Sequence, residues 1–233
     1  MPSPPTLIAI LLLLLAMTST FTMPLPAFLS RLLRPLTSSA RMGITSDTGS
    51  GRAAIPAGAE TATVAAGCFW GVEHLYRKQF GGKGLYDARV GYVGGDVENP
   101  TYKAVCTGKT GHSEALQIHY DPAQISYRQL LEFFYRMHDA TTADRQGPDV
   151  GPQYRSGIYF HGAEQERVAR EVTRQVGEQW YGKEGKRVVT EIVPAGQWWD
   201  AEEYHQLYLN KNPWGYECPS HFLRPFPPLE DNK

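Results

Sequence analysis

The chain has 233 residues, of which 42% are hydrophobic and 12% aromatic. This composition is typical of a globular protein with a sizeable core and excludes a wholly disordered one. Basic residues number 23 and acidic residues 24, so the net charge of −1 gives no indication of a nucleic-acid partner. Three cysteines are too few, and odd in number, for a disulfide-stapled secreted scaffold, which favours a catalytic or redox use of the thiols.

The first 57 residues carry two conflicting signals. An apolar stretch from Leu7 to Leu15 is typical of a secretory signal or an anchor, but it is short for a bilayer span and no Lys or Arg precedes it. Arg31, Arg34 and Arg41 then lie among Leu, Ser and Thr with no nearby acid, as in an organelle transit peptide. We interpret residues 1–57 as a targeting segment and disordered linker, and the redox chemistry favours an intracellular location, mitochondrial or cytoplasmic, with a signal or anchor at the hydrophobic N-terminus as the alternative.

Downstream of residue 57, strand and helix patterns alternate with no repeat and no second core. Short runs of β-branched and apolar residues predict strands over 61–66, 85–93, 115–120, 156–160 and 187–193. Helical spacing of apolar residues predicts helices over 68–80, 100–106, 126–137, 168–180 and 200–210. The alternation predicts an α/β or α+β domain, built as a sheet with helices packed against it.

Local signals refine these elements. Asn99, which precedes a proline, is predicted to cap the second helix, and Ser126 with Gln129 forms a capping-box pattern ahead of the third. The stretch 139–153 is rich in Gly, Pro and Asp, and an irregular loop of that length is usually functional. The tail 212–228 is rich in proline and aromatic residues, so it can be ordered only by wrapping around the domain.

Cys68 lies where the first strand passes into the first helix. A thiol there faces unpaired backbone N–H groups and the positive end of the helix dipole, both of which favour the thiolate. Cys68 is therefore a candidate nucleophile, although a buried cysteine can also be a small core residue. Phe69 and Trp70 cannot share one helical face, so one of them can project as the wall of a pocket, with core packing as the alternative.

Two titratable residues, His112 and Glu114, precede an apolar strand. A carboxyl group in apolar surroundings has a raised pKa, so Glu114 could donate a proton near neutral pH. His112 could instead act as the base of a Cys–His pair, as in cysteine hydrolases. A hydrogen-bonded histidine beside a surface glutamate, in a non-catalytic thiol protein or peptide-binding module, is the remaining alternative.

A second cysteine, Cys218, lies in the tail. A cysteine on a flexible segment can reach a sulfenic acid formed on another cysteine and condense with it to a disulfide. Among the three possible pairings, Cys68 with Cys218 is the one with a chemical purpose. Cys106, on a short helix, is predicted to be structural, and the three cysteines lack the spacing of a zinc site.

Six motifs follow one another between Thr61 and Arg224, and together they closely resemble the A-type peptide-methionine sulfoxide reductases. Six ordered motifs are far more specific than any one of them. They read GCFWGVE at 67–73, GYVGG at 91–95, NPTY at 99–102, TGHSE at 110–114, YDP at 120–122 and QYRS at 153–156.

The resemblance implies the reaction and its principal groups. Cys68 would attack the sulfur of methionine sulfoxide, which releases methionine and leaves a sulfenic acid on the cysteine. Glu114 would donate the proton, and the hydroxyls of Tyr102 and Tyr154 would hold the sulfoxide oxygen. The activity implied is reduction of the S epimer, free or in a peptide, in the repair of oxidised proteins.

The resemblance also implies a substrate pocket. Phe69 and Trp70 would receive the methyl group of the substrate, and Asp149 would line the site. The expected fold is a single-domain two-layer sandwich, a mixed sheet with helices packed against it, over residues 58–229.

Regeneration follows from the resemblance as well. Many relatives have a glycine-rich end with a further cysteine, whereas this tail has only Cys218 between Glu217 and Pro219. This departure predicts a single Cys68–Cys218 disulfide, reduced by thioredoxin or in the laboratory by dithiothreitol, with no metal or organic cofactor. The expected partners are oxidised proteins, free methionine sulfoxide and thioredoxin. We expect no nucleic acid, no stable membrane contact of the folded domain, and a monomer.

Overall fold

The computed structural model describes residues 54–230, so the predicted targeting segment and linker lie almost entirely outside the described residues. In chain order the elements are β1 (Glu60–Ala66), α1 (Phe69–Phe80), β2 (Leu85–Val93), α2 (Tyr102–Cys106), β3 (Ser113–Tyr120), α3 (Tyr127–Met137), β4 (Arg145–Gln146), β5 (Asp149–Val150), β6 (Ser156–Phe160), α4 (Ala163–Val176), β7 (Glu191–Pro194), β8 (Trp199–Asp200) and α5 (Tyr208–Lys211). No helix within residues 54–230 is long and apolar enough to cross a bilayer.

A six-stranded sheet in the order β7-β6-β1-β3-β2-β8 forms the frame of the domain. Neighbouring strands are antiparallel except for β6 and β7, which are parallel. The sheet is therefore mixed, as expected. Because β1 is paired on both edges, the residue that follows it, Gly67, is held at a fixed point near the centre of the sheet.

Helices α1, α3 and α4 pack on one face of this sheet. Alternate residues of β1, such as Ala62 and Val64, point into that layer and are fully buried. Ala65 points to the opposite face, where it meets Tyr159 in a smaller apolar cluster. The alternation along a central strand thus places the helix layer on one side, which confirms the predicted α/β sandwich.

Two helix starts test the local signals. At α3 the Ser126 Oγ accepts from the Gln129 backbone N–H, and the Gln129 side chain accepts from the Ser126 backbone N–H, so the predicted capping box is confirmed. At α2 the prediction was wrong. Thr101 is the cap and accepts from the Ala104 backbone N–H, whereas Asn99 has a φ of 47°, a left-handed conformation incompatible with a cap.

The predicted helix over 200–210 was also wrong, since only Tyr208–Lys211 is helical. Leu207, immediately before it, has a φ of 55°, and its backbone N–H donates to the Glu73 carboxylate at 2.8 Å. The Gln206 side chain meanwhile exchanges two hydrogen bonds with the backbone of Val90 in β2. These long-range hydrogen bonds replace the helical ones. The predicted strand over 187–193 also differs from the structure, in which the strand is β7, Glu191–Pro194.

The loop and the tail are both ordered. The predicted loop 139–153 contains the small β4–β5 hairpin. The tail wraps around the domain without regular structure, as its composition predicts. Its Phe226 ring stacks on Trp180 with centroids 4.6 Å apart, and the Trp180 indole N–H donates to the Pro227 carbonyl at 3.1 Å.

The capping box gives a stability prediction. Ser126→Ala removes the oxygen that accepts from the start of α3 and should lower the free energy of unfolding by about 1 kcal/mol. Ser126→Asp retains an accepting oxygen and should stay close to wild type. Urea unfolding of the two variants measures the difference, and equal midpoints would contradict a contribution from the cap.

Candidate active site

Cys68 lies at the junction of sheet and helix. It is the N-cap residue of α1 and is 6% exposed. The preceding Gly67 has a φ of 89°, and a Cβ there would come within 2.5 Å of the Gln146 side chain, so only glycine fits. The strand, the glycine turn and the helix together hold the sulfur at one defined place.

The helix start favours the thiolate of Cys68, as expected, but burial outweighs it. Burial raises the pKa of Cys68 well above its ordinary value, and the negative charge of Glu114 raises it further. The backbone N–H of Trp70 acts in the opposite direction and lowers the pKa of Cys68, but it is the weaker influence. Cys68 therefore rests as a thiol, because loss of hydration outweighs the field of the helix.

The neighbouring acid is Glu114 of β3, which is 1% exposed. One of its carboxyl oxygens, Oε2, accepts from the Phe69 backbone N–H at 3.1 Å. Burial raises the pKa of Glu114 to about 8. The Phe69 hydrogen bond lowers this pKa, and the charge of Asp149 raises it further. The carboxyl group therefore holds its proton at neutral pH, as expected from the sequence.

The two aromatic residues after Cys68 differ in position. Phe69 is buried against the Tyr92 ring, with centroids 6.0 Å apart. Trp70 is half-buried, stacks on Tyr208 at 3.7 Å, and donates its indole N–H to His205 Nδ1 at 3.0 Å. The Phe69 and Trp70 rings, with centroids 6.4 Å apart, form an apolar wall beside the thiol.

Two phenols approach the same acid. Tyr102 is the first residue of α2, and its backbone N–H donates to the Glu202 carboxylate at 2.9 Å. Tyr154 ends a short 3-10 turn at Pro152–Tyr154. Burial raises the pKa of both phenols and the charge of Glu114 adds to it, so both hydroxyls remain donors. The structure thus brings the predicted tyrosines to the predicted acid.

Asp149 also lies near the thiol. Its Oδ1 accepts from the Tyr216 hydroxyl at 2.8 Å, and its buried Oδ2 has no hydrogen-bond partner among the described residues. The charge of Asp149 contributes to the raised pKa of Cys68, which reflects their proximity. An unsatisfied carboxylate oxygen at this place is a ready acceptor for a polar group or a water.

The tail brings Cys218 to the site as well. Cys218 is 1% exposed, and its Sγ lies 3.4 Å from the Gln146 carbonyl oxygen and 3.3 Å from the Ser220 hydroxyl. An ionised Cys218 would raise the pKa of Cys68, which reflects their proximity. Cys106 is exposed, and its thiol interacts with the Tyr102 hydroxyl. The cysteine that was expected to be mobile is packed beside the nucleophile.

His112 does not take part in this arrangement. Its Nδ1 accepts from the Gly95 backbone N–H at 3.2 Å, and its Nε2 lies 2.9 Å from the Val97 carbonyl oxygen. Both ring nitrogens therefore bind the backbone of a neighbouring loop. A Cys–His pair needs one of them at the sulfur, so the geometry gives no support to the hydrolase alternative.

Sequence reasoning missed several residues that complete the site. They come from the segment that was predicted as a regular helix and from the tail: Glu202, His205, Tyr208, Tyr216 and His221. The available signal was the dense mixture of acidic, aromatic and histidine side chains over 202–208, which is unusual for a helix that only covers a core. His205 is 1% exposed, with its ring 4.4 Å from that of Tyr102.

A buried thiol, a protonated carboxyl group, an apolar wall and a second thiol define the site of a thiol-dependent oxidoreductase. The family model described as peptide methionine sulfoxide reductase matches residues 60–224. The chain therefore belongs to the peptide methionine sulfoxide reductase family, and it is an enzyme that reduces methionine sulfoxide.

Individual relatives agree with this assignment. A probable peptide methionine sulfoxide reductase of Schizosaccharomyces pombe is 51% identical over 166 residues, which are 71% of this chain and 96% of that protein. The MsrA of Methanothermobacter thermautotrophicus is 53% identical over 154 residues, 66% of this chain and 88% of its own. The reduced form of Mxr1 from Saccharomyces cerevisiae superimposes with a TM-score of 0.67 at 44% identity, covering 72% of this chain and 94% of that one.

The raised pKa of Glu114 gives a pH-dependent stability prediction. The folded state keeps the proton up to about pH 8, whereas an unfolded glutamate loses it near pH 4.3. The stabilisation from that proton is therefore lost as the pH rises through this window. Glu114→Gln, which cannot ionise, should gain on wild type in free energy of unfolding between pH 5 and 8, by up to about 1.4 kcal/mol per pH unit.

Urea unfolding at several pH values measures this gain. Glu203→Gln is the matched control because Glu203 is exposed, and it should follow the wild-type profile. Parallel profiles for Glu114→Gln and wild type would show that Glu114 ionises normally.

Proposed function

We propose that this enzyme reduces the S epimer of methionine sulfoxide by attack of Cys68 on the substrate sulfur. The observation that carries the proposal is the protonated, buried Glu114 bonded at the start of the helix that begins at Cys68. A sulfoxide oxygen is a poor leaving group until it receives a proton. An acid with a pKa of about 8 holds that proton at physiological pH and can release it to the oxygen.

The first step balances without any other reactant. The Cys68 sulfur forms a bond to the substrate sulfur while Glu114 protonates the oxygen, and the Tyr102 and Tyr154 hydroxyls donate to that oxygen. The S–O bond of the substrate and the new S–S bond then break as the hydroxyl passes to the Cys68 sulfur, so the substrate is reduced to methionine and the cysteine is oxidised to a sulfenic acid. The thiol proton of Cys68 restores Glu114.

The apolar wall accounts for the orientation of the substrate. The methyl group on the sulfoxide sulfur packs against Phe69 and Trp70, since it has no polar alternative. The methyl group lies at this wall and the oxygen lies at the two tyrosines. The third substituent of the sulfur, the methylene of the methionine side chain, must then point out of the site. Only one epimer satisfies these three positions, and Asp149 lines the remaining side of the site.

The second cysteine completes the cycle. The Cys218 thiol attacks the Cys68 sulfenic acid, an S–S bond forms, the S–O bond breaks and water leaves. A dithiol reductant of the thioredoxin class then reduces the disulfide and is itself oxidised, and dithiothreitol can replace it. No further cofactor enters this sequence of steps.

We infer a catalytic domain over residues 58–229, preceded by a targeting segment and linker. The substrates are oxidised proteins and free methionine sulfoxide, since the wall binds only the end of the side chain. We infer that the domain acts as a monomer.

The activity test uses the two enantiomers of methyl p-tolyl sulfoxide, with dithiothreitol as reductant. The protein should consume only the S sulfoxide, and Cys68→Ser should abolish this. Consumption of both enantiomers would contradict the proposed pocket. No consumption of either by folded protein would contradict the reaction.

A second test separates the roles of the two cysteines. With one equivalent of methionine sulfoxide and no reductant, Cys218→Ser should form methionine at the wild-type rate. When thioredoxin is supplied, the variant should fail to turn over. Glu114→Gln should slow that first step by about 10²-fold or more, since it cannot supply the proton. Glu164→Gln, at an exposed residue of α4 that bonds to Arg167, is the control and should complete both steps. Loss of the first step in Cys218→Ser would make the assignment of roles wrong.

A further inference from the structure

His221 connects the cysteine-bearing tail to the strand that carries Cys68. It follows Cys218 by three residues and is 6% exposed. Its Nε2 lies 2.7 Å from the carbonyl oxygen of Ala66, the last residue of β1. Ala66 precedes Cys68 by two residues, so this one contact joins the two segments that bear the paired cysteines.

The imidazole occupies a space that two glycines leave open. A Cβ on Gly71, in the first turn of α1, would come within 2.3 Å of His221 Nδ1. A Cβ on Gly67 would lie 3.4 Å from Nε2. The two glycines that flank the Cys-Phe-Trp sequence therefore permit the close approach of this ring, in addition to any role in the turn itself.

The hydrogen bond determines which nitrogen carries the proton. A carbonyl oxygen only accepts, so Nε2 must donate. Nδ1 is buried and has no hydrogen-bond partner among the described residues. Burial also lowers the pKa of His221, which keeps the ring neutral and leaves Nε2 as its single donor. The ring therefore makes one directed polar contact.

A backbone hydrogen bond couples the position of the His221 ring to that of Cys218. The His221 backbone N–H donates to the Cys218 carbonyl oxygen at 2.9 Å, which closes a four-residue turn. Ser220, within the same turn, has its hydroxyl 3.3 Å from the Cys218 sulfur. Outside the turn, the tail is bonded through Tyr216 to Asp149 and through the Arg224 backbone N–H to the Arg136 carbonyl oxygen, neither of which lies on β1 or α1.

We propose that His221 is a positioning residue for the resolving step: its bond to Ala66, between Gly67 and Gly71, holds Cys218 where its thiol can attack the Cys68 sulfenic acid. The inference rests on the proposed function of the two cysteines. In that step the Cys218 sulfur bonds to the Cys68 sulfur, the S–O bond breaks, and the hydroxyl leaves as water with the thiol proton. His221 contributes geometry to this step and takes no proton.

The test compares the two chemical steps within one reaction. Full-chain wild type and His221→Ala each receive one equivalent of S sulfoxide without reductant. Quenched samples give the rate of sulfide formation and, by intact mass with dimedone as a trap for sulfenic acid, the rate of disulfide formation. His221→Ala should lower the ratio of the disulfide rate to the sulfide rate by roughly 10²-fold, with dimedone adduct accumulating, because a small displacement of a reacting group costs about that much.

Two further variants distinguish positioning from general stability. His221→Gln keeps an N–H donor that can reach the Ala66 carbonyl oxygen and should restore most of the ratio. Gly71→Ala, which displaces the ring, should lower the ratio as His221→Ala does. In the double variant Gly71→Ala/His221→Ala, the Gly71 substitution should cause no further decrease, because the ring is already absent. His161→Ala is the matched control, since that exposed histidine bonds to Thr63 away from the tail.

The outcomes separate this inference from the proposed function. If wild type forms sulfenic acid but no disulfide, the role of Cys218 is wrong. If wild type forms the disulfide and both His221→Ala and Gly71→Ala keep its ratio of rates, His221 is not a positioning residue. Equal slowing of both steps in all three variants would likewise overturn the inference, because it indicates a structural role alone.

Discussion

The hydrogen bond between the Phe69 backbone N–H and the Glu114 carboxyl group is the contact on which the site depends. It joins the first turn of α1 to the interior of the sheet at 3.1 Å, and it satisfies an N–H group that the helix itself cannot use. One such bond is not enough to keep a carboxylate ionised in a buried place, so the acid retains its proton up to about pH 8. The contact thus fixes the geometry of the site, while burial of Glu114 acts against this bond and keeps the acid protonated.

The thiol and the acid share a constraint. An ionised Glu114 would place a negative charge beside Cys68, and an ionised Cys68 would do the same to Glu114, so each charge disfavours the other. Burial favours the neutral form of both. The helix start acts against this and cannot overcome it. The consequence is a resting site with little charge. The cost is stability at alkaline pH, where a group that binds a proton in the folded state must lose it.

Local signals in the sequence predicted much of this fold, and long-range contacts explain the failures. The strand, glycine turn and helix around Cys68, and the capping box at Ser126, depend on residues near one another in the chain. The segment 201–207 has a helical pattern, yet Glu73 and Val90 bind its polar groups from more than 100 residues away. The motif series identified Cys68, Glu114 and the tyrosines. No local pattern marks His221, because it acts through a partner that folding alone brings close, and His205 has only the unusual composition of 202–208 as a signal.

The tail is a component of the site as much as a cover for the core. It supplies Tyr216 to Asp149, Cys218 to the vicinity of Cys68, and a histidine to the end of β1. Beyond them, Phe226 and Pro227 attach the chain to Trp180 on the helical side. An irregular segment has few backbone hydrogen bonds of its own, so its position is fixed mainly by the contacts of its side chains. A stretch without regular structure can therefore hold a thiol at a defined position. Tyr216 anchors it before the cysteine, His221 just after the cysteine, and Pro227 at the far end.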